Sequence, residues 1–170
     1  MKPGFQCGSC GQWHDELPLD FGFQEPDYVH ELDASERARF VTGKGDFREL
    51  QQDESLHYFI RGVIEIPIVG TDDVFRYGVW TSLSAESCAT ARDAYEWDAA
   101  AGPFFGWVSN RVPNYPSTMN LRAQVHVRSS VRSAIELEPT THPLALEQRN
   151  GITMDRVREI IERVMHPTPH

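Results

Sequence analysis

Between residues 57 and 83 the chain reads "HYFIRGVIEIPIV", then "GTDD", then "VFRYGVWTSL", and no other stretch constrains the fold as much. Both flanking runs are dense in β-branched and aromatic side chains, which suit the pleated, half-buried surface of a strand better than a helix. A polar, glycine-bearing turn separates them, so the pair predicts an antiparallel hairpin. Pro67 lacks a backbone N–H and is tolerated in the first strand only at an edge or a bulge. Further on, "LRAQVHVR" alternates without a fault, with Leu121, Ala123, Val125 and Val127 on one face and Arg122, Gln124, His126 and Arg128 on the other. One face is therefore core and the other wet. "SAIELEP" continues the pattern as its partner across "SSV", and "GPFFGWV" reads as a short buried strand followed by an extended loop, "SNRVPNYPS".

Helices frame this centre. In "LDASERARFVTG" Asp33 can cap, Glu36 stands at the capping-box position, and Gly43 offers a left-handed stop. The polar stretch 44–55 is expected to hold one more helical turn. Ser84 opens a helix over 85–98 on which Cys88, Ala91 and Tyr95 share a face, making Cys88 a packing residue rather than a nucleophile. Pro143 starts and Asn150-Gly151 ends a helix in "HPLALEQRNG". Thr153 caps the last, whose stripe is Met154, Val157, Ile160, Ile161, Val164 and Met165. The expected class is α+β: an antiparallel sheet of about five strands with helices packed on one face, after an N-terminal C-x-x-C turn. No repeat or linker divides the chain, so a single domain over residues 1–170 is expected, with 166–170 a frayed tail leaving His166 and His170 in solvent.

Charge and composition narrow the functional classes. Residues 1–60 carry 12 Asp and Glu against 5 Lys and Arg, a net of −7, while 61–170 carry 13 against 11, a net of −2. Nucleic-acid binding needs a basic footprint over the phosphates, and here the cysteine-bearing third is the acidic one. No apolar run approaches the roughly 20 residues of a membrane helix, and "MKPGFQC" has no apolar core like that of a secretion signal. The expected compartment is the cytoplasm, where three cysteines stay reduced. Neither nucleic acid nor membrane is an expected partner; a protein or small molecule is.

The chemistry-bearing motif is "FQCGSCGQWH". Cys7 and Cys10 can reach one zinc ion from a single turn, Gly8 and Gly11 favour that turn, and His14 can supply a third ligand. The chain has no second C-x-x-C or paired-histidine motif, so a fourth ligand must come from afar: His142, His57, Cys88, Asp15 or water. The alternatives are a turn that buries two sulfurs, or a redox pair. The latter wants a helix after the second cysteine, where Pro18 interrupts. No nucleophile elbow, phosphate loop, dinucleotide fingerprint or zinc-protease motif occurs. Arg61 lies in an apolar strand and is expected to pair with Glu65 on the same face or to bind an anionic ligand; His142, beside Pro143, is a helix-entry cap or surface residue, or else a functional imidazole.

"FQCGSCGQWHDELP", "YFIRGVIEIPI", "YGVWTSLS", "FFGWVSNRVPNYP" and "HPLALEQRNGI" stand in the order and approximate spacing of a bacterial family, domain of unknown function 2199, which the chain resembles over roughly residues 5–160. The resemblance implies a single-domain bacterial protein and brings no activity or catalytic residue with it. The positions that carry it are Cys7, Cys10, Gly11, His14, Arg61, Gly62, Trp80, Gly106, Trp107, Tyr115, Pro116, His142, Pro143, Glu147 and Gln148. Two functions follow as expectations. One is a binding or interaction domain, zinc-stabilised at Cys7, Cys10 and His14, with Arg61, Trp80, Trp107, Tyr115 and His142 as candidate ligand contacts. The other is a small enzyme dependent on the metal or on His142. The aromatic three are otherwise core filling between sheet and helices.

Overall fold

The computed structural model describes residues 4–166. In chain order these form β1 (Phe5–Gln6), β2 (Trp13–His14), β3 (Asp20–Gly22), α1 (Asp27–His30), α2 (Ala34–Phe40), β4 (Val41–Thr42), β5 (Phe47–Gln52), β6 (Ser55–Pro67), β7 (Val74–Leu83), α3 (Ala85–Glu96), β8 (Ala101–Val108), β9 (Arg122–Val127), β10 (Ala134–Leu137), α4 (Pro143–Asn150) and α5 (Met154–Met165).

The expected hairpin is present: β6 and β7 pair antiparallel from Tyr58↔Leu83 to Pro67↔Val74 without a register shift, and Pro67 takes the last rung before the turn. These strands are long enough to serve two neighbours each. The N-terminal half of β6 pairs with β5, and Val63 further along pairs in parallel with Ala134 of β10. β7 carries β3 in parallel at Arg76–Gly78 and turns to β8 at Thr81 and Ser82. With β8 on β9 and β9 on β10, strands β6 to β10 close on themselves. The open antiparallel sheet with one helical face is thus corrected to a closed five-stranded barrel with one parallel pairing, β6 with β10, extended by β3, which runs parallel to β7, and by β5 and β4. Alternation could not reveal this, because a barrel lumen and the covered face of an open sheet impose the same period of two.

Two glycines sit at the seams. A Cβ on Gly62 would lie 2.7 Å from the Ser133 carbonyl oxygen, where the Val63 N–H bonds that carbonyl and β6 meets β10. A Cβ on Gly106 would collide with the Ser82 carbonyl, where β8 crosses onto β7. Inside, Ile60, Ile64, Tyr77, Val79, Val125 and Ile135 join one core with Cys88 and Ala91 of α3 and Ile160 of α5. On the outer side of the hairpin Leu50, Phe59 and Trp80 form a second, smaller cluster against Leu32 and Phe40. The hairpin is buried on both faces, which is why its sequence is nearly continuous in apolar residues.

The capping expectations hold. Asp33 and Glu36 form a reciprocal capping box on α2, Ser84 and Thr153 accept the N–H groups of Ser87 and Arg156, and Gly151 follows α4 with φ +80°. Three readings of the secondary structure are corrected. Gly43 does not stop α2, which passes directly into β4 at Val41. Residues 47–52 are β5 rather than a helical turn. β8 is buried on one face only, with Phe105 38% and Trp107 42% exposed. No helix among the described residues is long and apolar enough to cross a membrane. His166 is not a solvent-exposed tail residue but a half-buried cap of α5; His170 lies outside the described residues.

Candidate metal centre

β1 and β2 form a minimal antiparallel ladder, Phe5 opposite His14 and Gln6 opposite Trp13, and the knuckle is the turn between them. The Cys7 N–H donates to the Gln12 carbonyl at 2.9 Å, and the Gly11 N–H donates to the Cys7 carbonyl at 2.9 Å. Gly11 has φ +70°, the left-handed conformation glycine adopts without a Cβ clash. Cys7 is buried and Cys10 exposed. Burial on its own would raise the Cys7 thiol pKa; the backbone N–H groups of Cys10 and Ser9 and the Cys10 side chain oppose it, and the net shift is downward. The turn thus favours the thiolate that a metal ligand must be. Because β2 rather than a helix follows Cys10, the helix-dipole arrangement of a redox pair is not formed.

The last turn of α5 meets this knuckle. Glu162 accepts the Gly8 N–H at 2.8 Å through Oε1, and its carbonyl accepts the His166 N–H at 2.9 Å. The His14 ring stacks on Phe5 at 5.2 Å and lies 6.1 Å from the His166 ring, and its Nε2 is 3.6 Å from Cys10 Sγ. One donor atom each from Cys7, Cys10, His14 and His166 lies within 4.8 Å of the other three, a grouping that could hold one metal ion. Nε2 of His166 is buried without a hydrogen-bond partner among the described residues, a costly state for a polar atom unless a ligand completes it. Two sulfurs and two imidazole nitrogens suit tetrahedral zinc. The site also stands at the C-terminus of α5, the end of a helix that favours a cation. The residue that joins Cys7, Cys10 and His14 from afar is therefore neither His142, His57, Cys88 nor Asp15 but His166.

The other candidate residues fall into separate neighbourhoods. Arg61 does not pair with Glu65. Its Nε donates to Asp46 Oδ1 at 3.0 Å and its guanidinium lies over the Trp80 ring at 5.6 Å, while Glu65 binds Arg128 at 2.7 Å and Arg76 at 3.5 Å. Trp80 is fully buried, with its indole N–H on the Phe23 carbonyl at 3.1 Å. Trp107 stands half-exposed beside Phe105, with Arg122 over both rings, on a groove of about 460 Å³ that Leu56, His57 and Ser84 also line. Tyr115 and His142 keep company, their rings 6.5 Å apart. Tyr115 donates to Glu147 Oε2 at 2.5 Å and accepts from Tyr77 at 3.0 Å, and Arg156 holds the other Glu147 oxygen at 2.9 Å. Burial, then Tyr77 and the Glu147 carboxylate, push the Tyr115 phenol far above its ordinary range. Because Arg61 pairs with Trp80 and Tyr77 with Ile64, three positions along β6, the two sets face opposite sides of the hairpin.

His142 is a cap. Its Nδ1 accepts the Leu144 N–H at 3.1 Å, so its Nε2 carries the proton and donates to the Pro116 carbonyl at 3.0 Å. Both nitrogens are occupied in tying α4 to the loop after β8. Asp46, Arg156 and His166 were missed from the sequence as site residues, and Glu147 was named only as a position of the family resemblance. Each is an ordinary charged or polar residue whose partner is remote along the chain.

The fold and site define an α+β protein built on a closed five-stranded barrel, with a two-cysteine, two-histidine cluster joining its first hairpin to its last helix. The chain belongs to the family described as "uncharacterized protein conserved in bacteria", domain of unknown function 2199, which matches residues 6–152. That span includes Cys7, Cys10 and His14 and ends before α5 and His166. No curated protein and no solved structure matches the chain.

Proposed function

We propose that the chain is a binding domain of the bacterial cytoplasm rather than an enzyme, and that a structural zinc ion held by Cys7, Cys10, His14 and His166 clasps its N-terminal hairpin to α5. The observation that carries this reading is the count of protein donors. A catalytic zinc keeps a position open for water or substrate, whereas a structural one is closed by four side chains. Four converge here, and the unpartnered Nε2 of His166 gives the fourth a reason to be buried. None of the three cysteines is in a disulfide, which accords with a reducing compartment. With the acidic balance of the first sixty residues, the partner is a small molecule or protein rather than nucleic acid or membrane.

Metal analysis of protein purified without chelator or metal-affinity resin tests the clasp. About one zinc per chain is expected, lost in the Cys7→Ser, Cys10→Ser double variant, with a lower melting temperature after chelation because metal binding in such sites is folding free energy. Wild-type protein free of metal, with a melting temperature that a chelator does not move, would contradict it.

A further inference from the structure

Two adjoining cavities of about 260 Å³ each share Asp46 and Arg132 in their walls. Arg61 enters the first from β6, on the side of the hairpin that carries Trp80. Its guanidinium is fixed twice, by Asp46 at Nε and by the Trp80 ring beneath it. Asp46 is fixed in turn, its second oxygen accepting from Tyr95 at 3.3 Å. Arg132 binds Asp20 through Nη2 at 2.6 Å, and the loop that bears it is braced where Arg128 Nε donates to the Arg132 carbonyl at 2.8 Å. A guanidinium offers five N–H groups. Each of these two uses only one nitrogen on its aspartate, and the rest have no protein partner among the described residues. The carboxylates orient the forks without consuming their donors. Phe23 adds an apolar wall, and Gly22 and Gly78, packed backbone to backbone between β3 and β7, keep theirs clear of side chains.

Oriented guanidinium forks beside an apolar wall match the geometry of a carboxylate or phosphate group, which they bind through paired N–H donors. We propose that this cavity binds a small oxyanion-bearing ligand between Arg61 and Arg132. Its volume sits just below the usual range of about 300–1,000 Å³ for ligand pockets, which confines the ligand to a small molecule. The proposal supplies a ligand class for the binding domain and rests on that reading; it uses none of the zinc residues.

The test is a ¹H–¹⁵N titration of the zinc-loaded protein with sodium phosphate and, separately, sodium succinate, against sodium chloride at matched ionic strength. Saturable shifts of the Gly22, Gly62 and Gly78 amides are expected with at least one of the two at concentrations below about 20 mM, and not with chloride. The salt that saturates first identifies the phosphate or carboxylate source. Arg61→Gln and Arg132→Gln should each weaken saturation by about tenfold or more, while Arg122→Gln, at the Phe105–Trp107 surface, should not. Glycine amides unmoved by both salts, or saturation unchanged in both Arg61→Gln and Arg132→Gln, would overturn the proposal. Should Arg61→Gln fail to fold, the half-exposed Arg132 decides alone. The two readings fail separately: a metal-free protein whose glycines still respond loses the clasp and keeps the cavity, and a zinc-bound protein whose glycines are silent does the reverse.

Discussion

At the scale of single residues, the Tyr115 hydroxyl is tightly held. It donates to Glu147 and accepts from Tyr77, and the Arg156 guanidinium lies over the Tyr115 ring. A hydrogen bond to a charged partner contributes about 1.5–3 kcal/mol, so Tyr115→Phe should lower stability by about 2 kcal/mol in denaturant titrations. The same contact sets a pH response. Tyr77 and Tyr115 have folded-state pKa values raised above the unfolded value near 10, so their stabilisation is complete below pH 10. It falls as pH rises through the alkaline range, where the unfolded chain releases the protons that the folded chain keeps. Tyr115→Phe should flatten that alkaline decline relative to wild type; an unchanged slope would remove the account of the network. His142 and Arg61 show how residue-level reading fares. The capping role of His142 followed from Pro143 beside it, a local signal. The partner of Arg61 was misplaced on Glu65 because strand spacing allowed that pair, while Asp46, in the turn before β5, is brought in by β6 pairing with β5.

Among elements, the barrel seams are the decisive feature. Any side chain at Gly62 or Gly106 would overlap a carbonyl oxygen of the neighbouring strand, so Gly62→Ala and Gly106→Ala should each cost about 2 kcal/mol or more through forced strand separation. Gly45 is a control. It has φ +62° with open space around its Cβ position, so alanine there should cost only about 1 kcal/mol from backbone conformation. Equal losses at all three positions would contradict the closed barrel. The hairpin, the β9–β10 pair and the helix starts were legible because turn residues and caps act within a few positions. Closure was not, because it depends on which distant strand meets which. β5 was misread for a more particular reason. The stretch 44–55 is polar and shows no strand alternation, because its two buried side chains, Phe47 and Leu50, are three residues apart; in a strand that spacing places them on opposite faces, Phe47 in the main core and Leu50 in the cluster with Trp80.

For the whole molecule, the proposed zinc ion would join the N-terminal hairpin to the last helix. That Cys7, Cys10 and His14 would lie together was legible from their spacing alone, since a single turn presents all three. His166 was not, because nothing local distinguishes a histidine that closes an amphipathic helix from one that frays into solvent. Only the packing of Val157, Ile160 and Ile161 into the same core as Phe5 and Leu17 brings that end of α5 to the knuckle. The most direct measurement is X-ray absorption spectroscopy at the zinc edge, on wild-type protein and on His166→Ala. Wild type is expected to show two sulfur ligands near 2.3 Å and two nitrogen ligands near 2.0 Å, with one nitrogen replaced or the metal lost in the variant. An identical first shell in wild type and His166→Ala, or a wild-type shell with fewer than two sulfurs, would contradict the proposed clasp.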